Sequence, residues 1–147
     1  MIMNTIAKKK NIESIYPLSP MQEGMLFHSI YSGDNKEGLY VEQTALEIKG
    51  ELDTAAFTKA WQEIVNRHSI FRSAFIWEGV STPVQVVKKQ AELEINQLDW
   101  SDVAEETIES DLETLIQEDK ARGLPFNKAP LMRLCLIHIS PERHILV

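Results

Sequence analysis

Cysteine is nearly absent from this chain. Its 147 residues contain only one, Cys135, so no disulfide can form within the molecule. Cysteine used this sparingly is typical of proteins in reducing compartments, and it predicts a cytoplasmic location. Because Cys135 lies in an apolar run over residues 131–139, its sulfur is expected to be a packed thiol and not a nucleophile.

Positive charge and long apolar runs are also scarce. The chain has 15 Lys and Arg against 22 Asp and Glu, a net charge of −7, and its basic cluster is confined to residues 8–10. This excess of negative charge argues against a nucleic-acid partner. No apolar run approaches the roughly 18 residues of a membrane span, and residues 1–6 lack the apolar core of a signal peptide. The sequence therefore predicts neither a membrane segment nor secretion.

The residue patterns of the common catalytic sites are missing as well. There is no Gly-x-Ser-x-Gly string, no metal-ligand spacing and no glycine-rich phosphate loop. The histidines are His28, His68, His138 and His144, and no two of them are adjacent. We therefore predict no metal site and no catalytic residue in this sequence.

What the sequence does contain is a strong helix start at residues 19–22. Ser19 suits the N-cap, Pro20 the first helical position, and Gln22 the partner position of a capping box. The helix is expected to run to about Ile30. Its apolar residues fall on three strips: Met21 and Met25, Leu26 and Ile30, Phe27 and Tyr31. Such a helix is either buried on all sides or covers a second surface besides its own core, and the pattern leaves both alternatives open.

The rest of the chain predicts a mixture of strands and helices. Strands are expected at residues 40–48, 70–77, 83–87, 93–98 and 131–139, with a last one beginning at His144. Helices are expected from Asp53 to about His68 and from Ser101 to Gly123. Trp61 shares a helical stripe with other apolar residues, so it is expected in the core. The strand at 131–139 is apolar throughout, which predicts cover on both of its faces.

The first helix also carries a motif. The string YPLSPMQEGMLFH at residues 16–28 closely resembles the first core motif of condensation domains in nonribosomal peptide synthetases. Ser19, Gln22 and Gly24 belong to this motif and are expected to be structural. A string of this length is far more specific than a hydrophobic period.

A second string, NRHSIFRSAF at residues 66–75, is similar to the second core motif of the same family. The resemblance implies that Arg67, His68 and Arg72 are support residues and not catalysts. From the residues alone, Arg72 is a salt-bridge or surface residue, and Arg67 and His68 offset the negative end of a helix. Together with further matching stretches, the resemblance covers about residues 12–147.

This resemblance implies an α+β fold. The chain is expected to be the amino-terminal lobe of a two-lobed condensation domain, similar to chloramphenicol acetyltransferase, with a mixed sheet and packed helices. Residues 1–14 are expected to be a flexible leader that can serve as a docking segment, and residues 15–147 to be the lobe. The sequence ends on the apolar residues 145–147 within a strand, which predicts truncation at the carboxyl end.

The activity implied is formation of an amide bond between a donor and an acceptor, each held as a thioester on a carrier protein. The family's catalytic motif is His-His, three variable residues, then Asp-Gly, and it is expected just after Val147. The chain alone is therefore expected to be inactive. No cofactor is expected to bind this domain, because the substrates arrive on the phosphopantetheine arms of the carrier proteins.

The resemblance also implies partners. These are the donor and acceptor peptidyl carrier proteins, the carboxyl-terminal lobe and, through residues 1–14, an upstream synthetase subunit. The residues expected to form a carrier-docking surface or a wall of the substrate tunnel are Met21, Met25, Phe27 and Tyr31.

Two other interpretations remain open. One is a non-catalytic docking module that only holds a carrier protein. The other is an epimerisation or cyclisation relative of the same superfamily. The residues that follow Val147 in the source gene would separate them, since each alternative has its own version of the active-site motif.

Overall fold

The computed structural model describes residues 11–31 and 40–147, apart from the side chain of Tyr31. Ten regular elements follow one another in these two segments, joined by turns and by short 3₁₀ helices at Ser69–Arg72 and Glu105–Thr107. The strands are β1 Ile12–Pro17, β2 Leu46–Lys49, β3 Ser73–Ile76, β4 Val84–Lys88, β5 Glu94–Asp99, β6 Arg133–Ser140 and β7 Arg143–Leu146. The helices are α1 Pro20–Tyr31, α2 Thr54–Arg67 and α3 Ile108–Arg122.

The strands form two sheets. The smaller is antiparallel with the order β1-β4-β3, and it contains the predicted hairpin, β3 to β4. The larger has the order β2-β7-β6-β5, in which β5 runs parallel to β6 while the other neighbours are antiparallel. Mixed pairing of this kind, with helices packed on the sheet, is the α+β architecture expected from the sequence.

Strand β6 lies at the centre of the larger sheet and is covered on both faces. On one face Leu134 and Leu136 pack in a cluster with Val65 of α2. On the other, Ile137 and Ile139 pack with Ile108 of α3. The prediction that this strand is covered on both faces is confirmed, and the alternation along it follows from the period of two in a strand.

Trp61, expected in the core, is only half-buried. It packs at the edge of the cluster around Val65, with its ring against Phe57 at a centroid distance of 6.2 Å. The buried stripe of α2 is narrower than its sequence period suggests, since Ile64 is also exposed.

The prediction of a flexible leader over residues 1–14 is wrong for its last residues. Ile12–Pro17 is a strand that pairs with β4, with Ile12 opposite Lys88. Asn11 extends this junction, because its side chain donates to Gln90 O and accepts from Gln90 N. The rest of the expected leader, residues 1–10, lies outside the described residues.

Three other boundaries differ from the sequence-based prediction. Pairing in the predicted strand over residues 40–48 begins only at Leu46. Residues 69–72 form a 3₁₀ turn and not the start of a strand, and Ser73 Oγ donates back to Ser69 O. The acidic helix begins at Ile108 and not at Ser101, because Ser101 N donates to the carboxylate of Asp99 in a turn. Within residues 11–31 and 40–147, no helix is long and apolar enough to cross a membrane.

Candidate functional site

The start of α1 is held by the predicted capping box. Gln22 N donates to Ser19 Oγ at 3.3 Å, and Ser19 N donates to Gln22 Oε1 at 2.9 Å. The Gln22 side chain also donates from Nε2 to Gln85 Oε1 of β4 at 2.9 Å. Gln22 therefore fixes both the start of α1 and its position on the smaller sheet.

The two sides of α1 differ sharply in exposure. Leu26 is buried, whereas Met21 is 76% and Phe27 58% exposed, and Met25 is exposed as well. We call Met21, Met25 and Phe27 the α1 apolar surface. The ring of Phe27 meets that of His28 edge to face at 6.1 Å. The helix therefore has a core face and a second apolar surface, one of the two alternatives that its sequence pattern left open.

Gly24 lies on the exposed side of α1. Turning the helix by 100° per residue places it between Phe27 and Met21 around the axis. A Cβ built on Gly24 would meet nothing within 4 Å. Glycine inside a helix costs about 0.5–1 kcal/mol relative to alanine, and packing among the described residues does not require it.

Arg72 of the second motif is a buried ion-pair residue. It is 6% exposed and reaches Glu13 Oε2 of β1 at 2.6 Å, and it also donates to Lys88 O of β4. Arg67 ends α2 and is exposed, and the backbone N–H of His68 donates to Ile64 O at the helix end. Arg72 thus joins β1, β4 and the 3₁₀ turn in which it lies.

A cleft of about 520 Å³ lies beside the larger sheet's central strands. Its lining includes residues 41–44 on one side and 131–135 on the other, and Val147 lies at its border. Arg133 Nε donates to Asp119 Oδ1 at 2.5 Å, and Gln43 Nε2 donates to Asp119 Oδ2 at 2.9 Å. Burial alone would raise the pKa of Asp119, but the hydrogen bond and charge of Arg133 outweigh it and lower the pKa.

Cys135 borders the same cleft and is partly buried. Burial and the nearby carboxylate of Asp119 raise its pKa. A raised pKa reduces the thiolate fraction that a nucleophile needs, in line with the packed thiol expected from the sequence.

Two histidines face each other across β6 and β7. His138 and His144 are paired in the ladder, and their rings are 5.1 Å apart. Asp99 Oδ1 lies 3.2 Å from His138 Nδ1. Hydrogen bonds from Ser101, followed by that of His138, lower the pKa of Asp99 to about 2. In the part of the chain that the structure describes, no group of three or more His, Cys, Asp or Glu side chains could hold a metal ion.

His144 is expected to make the free energy of unfolding sensitive to acid. It is 3% exposed, and burial together with the neighbouring His138 lowers its pKa below 6.5. The unfolded chain then binds a proton at a higher pH than the folded protein does. The contribution of His144 to the free energy of unfolding is fully present above about pH 6.5 and is lost as the pH falls below that value. In His144→Phe, the decrease in unfolding free energy between about pH 7.5 and pH 5.5 should be smaller.

Urea unfolding at several pH values, followed by circular dichroism, measures this dependence. The slope of the unfolding free energy against pH is compared between variants. A packing change in His144→Phe shifts that free energy equally at every pH and does not affect the slope. His28→Asn, at a position outside the core, is the matched control and should keep the slope of the parent. An unchanged slope in His144→Phe would contradict the prediction.

Comparison with known proteins places these features in context. Residues 12–147 match the family model described as "Condensation domain". One component of the linear gramicidin synthase of Brevibacillus parabrevis is 40% identical over 139 residues, which is 95% of this chain and 2% of that protein. One component of the plipastatin synthase of Bacillus subtilis (strain 168) is 38% identical over 140 residues, 95% of this chain and 5% of that protein. The chain thus spans a small fraction of these relatives.

Solved structures share the fold. A four-domain nonribosomal peptide synthetase, holo-AB3403 bound to AMP and glycine, superposes with a TM-score of 0.76 at 15% identity, covering 92% of this chain and 10% of that one. The first condensation domain of the calcium-dependent antibiotic synthetase, in complex with substrate analogue 2a, gives 0.74 at 21% identity, with 91% and 32% covered. The expected fold class is confirmed.

Proposed function

This chain belongs to the condensation-domain family, and from that premise we propose that it is the amino-terminal lobe of a domain that joins two carrier-bound groups by an amide bond. The observation that carries the proposal is the family match over residues 12–147. The motif at residues 16–28 supports it, because that motif forms a capped helix with a second apolar surface.

In the proposed reaction, the amine of the acceptor attacks the carbonyl of the donor thioester. A C–N bond forms, the C–S bond breaks, and the donor carrier keeps its thiol while the amine loses a proton. We place the His-His-x-x-x-Asp-Gly motif after Val147, in a longer chain. Its second histidine would orient the amine or accept its proton. The lobe described above would supply one wall of the substrate tunnel.

The partners follow from the same proposal. Donor and acceptor would arrive on phosphopantetheine arms of carrier proteins, and a carboxyl-terminal lobe would complete the tunnel. The cytoplasm, where carrier proteins are loaded, is the location that fits.

The intact protein and the 147-residue chain test this proposal side by side. Each is mixed with a donor loaded on one carrier protein and an acceptor loaded on another, and the amide product is measured by mass spectrometry. The intact protein should form the product, and the chain alone should match a control without protein. Turnover by the chain alone, or no product from the intact protein with loaded carriers, would refute the assignment. Epimerised or cyclised products would identify the superfamily alternatives.

We propose that the α1 apolar surface docks the acceptor carrier protein. An aromatic side chain at the centre of a small interface commonly dominates its affinity. Phe27→Ala in the intact domain should therefore slow condensation about tenfold or more with a carrier-bound acceptor. It should leave the rate with a small soluble acceptor unchanged, and change stability by less than about 1 kcal/mol because Phe27 is largely exposed.

The control is Ile70→Ala, which removes an exposed apolar side chain outside α1. It should slow neither reaction. Equal losses with both acceptors in Phe27→Ala, or a large fall in melting temperature, would return Phe27 to a structural role. Tyr31, expected on the same surface, has a side chain outside the described residues.

The position of β1 and the hydrogen bonds between Asn11 and Gln90 leave residues 1–10 as the segment that we propose for docking an upstream synthetase subunit. Deleting residues 2–10 from the intact protein should reduce product transfer from that partner while leaving condensation with freely supplied carriers unchanged. Unchanged transfer would exclude the docking role.

A further inference from the structure

A chain of side-chain hydrogen bonds joins α1 to the turn of the second motif. Gln22 Nε2 of α1 donates to Gln85 Oε1 of β4 at 2.9 Å, and Gln85 Nε2 donates to Ser73 Oγ of β3 at 3.0 Å. Ser73 Oγ in turn donates to Ser69 O in the 3₁₀ turn at 3.1 Å. We call Gln22, Gln85 and Ser73 the polar relay. It crosses the smaller sheet and connects residues that lie far apart in the sequence.

The capping box fixes the direction of the polar relay. Because Ser19 N donates to Gln22 Oε1, the Nε2 group of Gln22 is the end that faces the sheet, and it needs an acceptor there. Gln85 supplies the acceptor with Oε1, which leaves its own Nε2 as a donor to Ser73. Turning over either amide alone would bring two donors or two acceptors face to face. Each member of the relay therefore has one orientation that satisfies its neighbours.

Gln85 lies at the centre of the smaller sheet. It is paired with Tyr16 of β1 on one side and with Phe75 of β3 on the other, and it is half-buried. Its neighbours along β4, Val84 and Val86, are apolar. An apolar residue would serve the backbone pairing of β4 equally well, whereas a half-buried amide needs hydrogen-bond partners. The amide of Gln85 is thus explained by the polar relay and not by the sheet.

The polar relay meets α1 on its core face. Among the described side chains of α1, Leu26 is the buried one. Gln22 precedes Leu26 by four residues and therefore lies on the same face, one turn earlier. Leu26 holds α1 against the core, and the directional hydrogen bond of Gln22 opposes rotation of the helix about its axis. A rotation of about 20° would move a side chain about 5–6 Å from the axis by about 2 Å.

We propose that Gln85 is a positioning residue. Through Gln22 it sets the rotation of α1 on the smaller sheet, and with it the direction in which the α1 apolar surface faces the acceptor carrier protein. The hydrogen bonds of the polar relay carry the first step, and binding of that carrier by this surface rests on the proposed function. Gln85 itself contacts neither the carrier nor the substrates.

The test replaces Gln85 with methionine in the intact protein, because methionine has a similar length but makes neither hydrogen bond. Condensation is measured at increasing concentrations of the loaded acceptor carrier. Gln85→Met should raise KM for this carrier about threefold to tenfold, the effect of one lost hydrogen bond. It should leave kcat unchanged, because a misaligned surface weakens docking and not the chemical step that follows.

Two further variants separate positioning from packing. Gln85→Glu keeps an acceptor for Gln22 Nε2 and can accept from the hydroxyl of Ser73, so its KM should stay within about twofold of that of the parent. Gln97→Met is the matched control. It removes a glutamine from β5 whose amide is exposed and lies 3.5 Å from Thr58 Oγ1. This control should change neither KM nor kcat.

Hydrogen exchange of the backbone amides of α1 reports how firmly the helix is held, without any reaction. In the intact protein, Gln85→Met should speed this exchange about threefold or more. Gln85→Glu and Gln97→Met should leave it unchanged. Exchange therefore tests the contact between the relay and α1, and KM tests its consequence for the carrier.

Unchanged exchange in Gln85→Met, or a lower kcat at unchanged KM, would overturn the proposal, because Gln85 would then only stabilise the sheet. Equal rises in KM for Gln85→Met and Gln85→Glu would also overturn it. Phe27→Ala distinguishes this failure from that of the proposed function. A raised KM in Phe27→Ala alone would refute the positioning role, whereas faster exchange in Gln85→Met with unchanged KM in both variants would refute carrier docking at α1.

Discussion

Replacing Glu13 with alanine is expected to destabilise the fold by about 3 kcal/mol. Glu13 is the carboxylate partner of Arg72, whose guanidinium is buried between β1 and β4. Without Glu13, the buried guanidinium loses its carboxylate partner and keeps, among the described residues, the carbonyl of Lys88. Burying an uncompensated charge costs more than the ion pair itself contributes. Arg72→Met removes that charge and leaves only a half-exposed carboxylate, so we expect it to cost less than Glu13→Ala.

Urea unfolding of both single variants and of the double variant measures this difference. The double variant should resemble Arg72→Met, because Glu13 has no buried partner left to compensate. Glu113→Ala, on the exposed side of α3, is the control and should change stability by less than about 0.5 kcal/mol. If Glu13→Ala changed stability as little as Glu113→Ala, β1 would not be anchored through Arg72.

This ion pair also illustrates what the sequence could not provide. Glu13 and Arg72 are separated by 59 residues, and neither local propensity nor hydrophobic period connects them. Ile12 to Ser14 carry little apolar alternation, so the sequence predicts a leader where the structure has an edge strand. The capping box of Ser19 and Gln22, in contrast, is predictable because all of its partners lie within one turn.

The same distinction applies to the other boundaries. The β-forming composition of residues 40–45 favours a longer strand, but a strand also needs paired neighbours, and pairing starts at Leu46. Around Ser101 the acidic composition favours a helix. The structure has a turn there instead, because the Asp99 carboxylate accepts a hydrogen bond from the backbone N–H of Ser101. Local hydrogen bonds of Asp and Ser compete with helix formation, and composition alone does not predict whether the turn or the helix forms.

For the candidate site, the sequence predicts which residues take part better than it predicts whether each of them is buried or exposed. The helical period gives α1 three apolar strips but does not say which one faces the core, and the structure shows that Leu26 does. The cleft has no local signal at all. Its lining comes from elements far apart in sequence, and Gln43, Asp119 and Arg133 meet only after the sheet has formed.

Ile137→Ala is expected to have the largest effect on stability, about 4 kcal/mol, because it creates a cavity at the centre of the larger sheet. Ile137 is 0% exposed and belongs to one apolar cluster with Ile145 of β7 and Ile108 of α3. Val80→Ala, at an exposed turn position, should cost less than about 0.5 kcal/mol and is the control. Circular dichroism in urea measures both, and a loss below about 1 kcal/mol for Ile137→Ala would contradict the central position of β6.

Trp61 lies at the edge of the apolar cluster around Val65 and provides a second test of stability. Full burial of a tryptophan makes its replacement by alanine cost about 3–5 kcal/mol, but Trp61 is half-buried and borders the cleft. In the 147-residue chain Trp61→Ala should therefore cost about half as much as at a fully buried site. Circular dichroism in urea measures this cost. A loss as large as that of Ile137→Ala would contradict the half-buried position of Trp61.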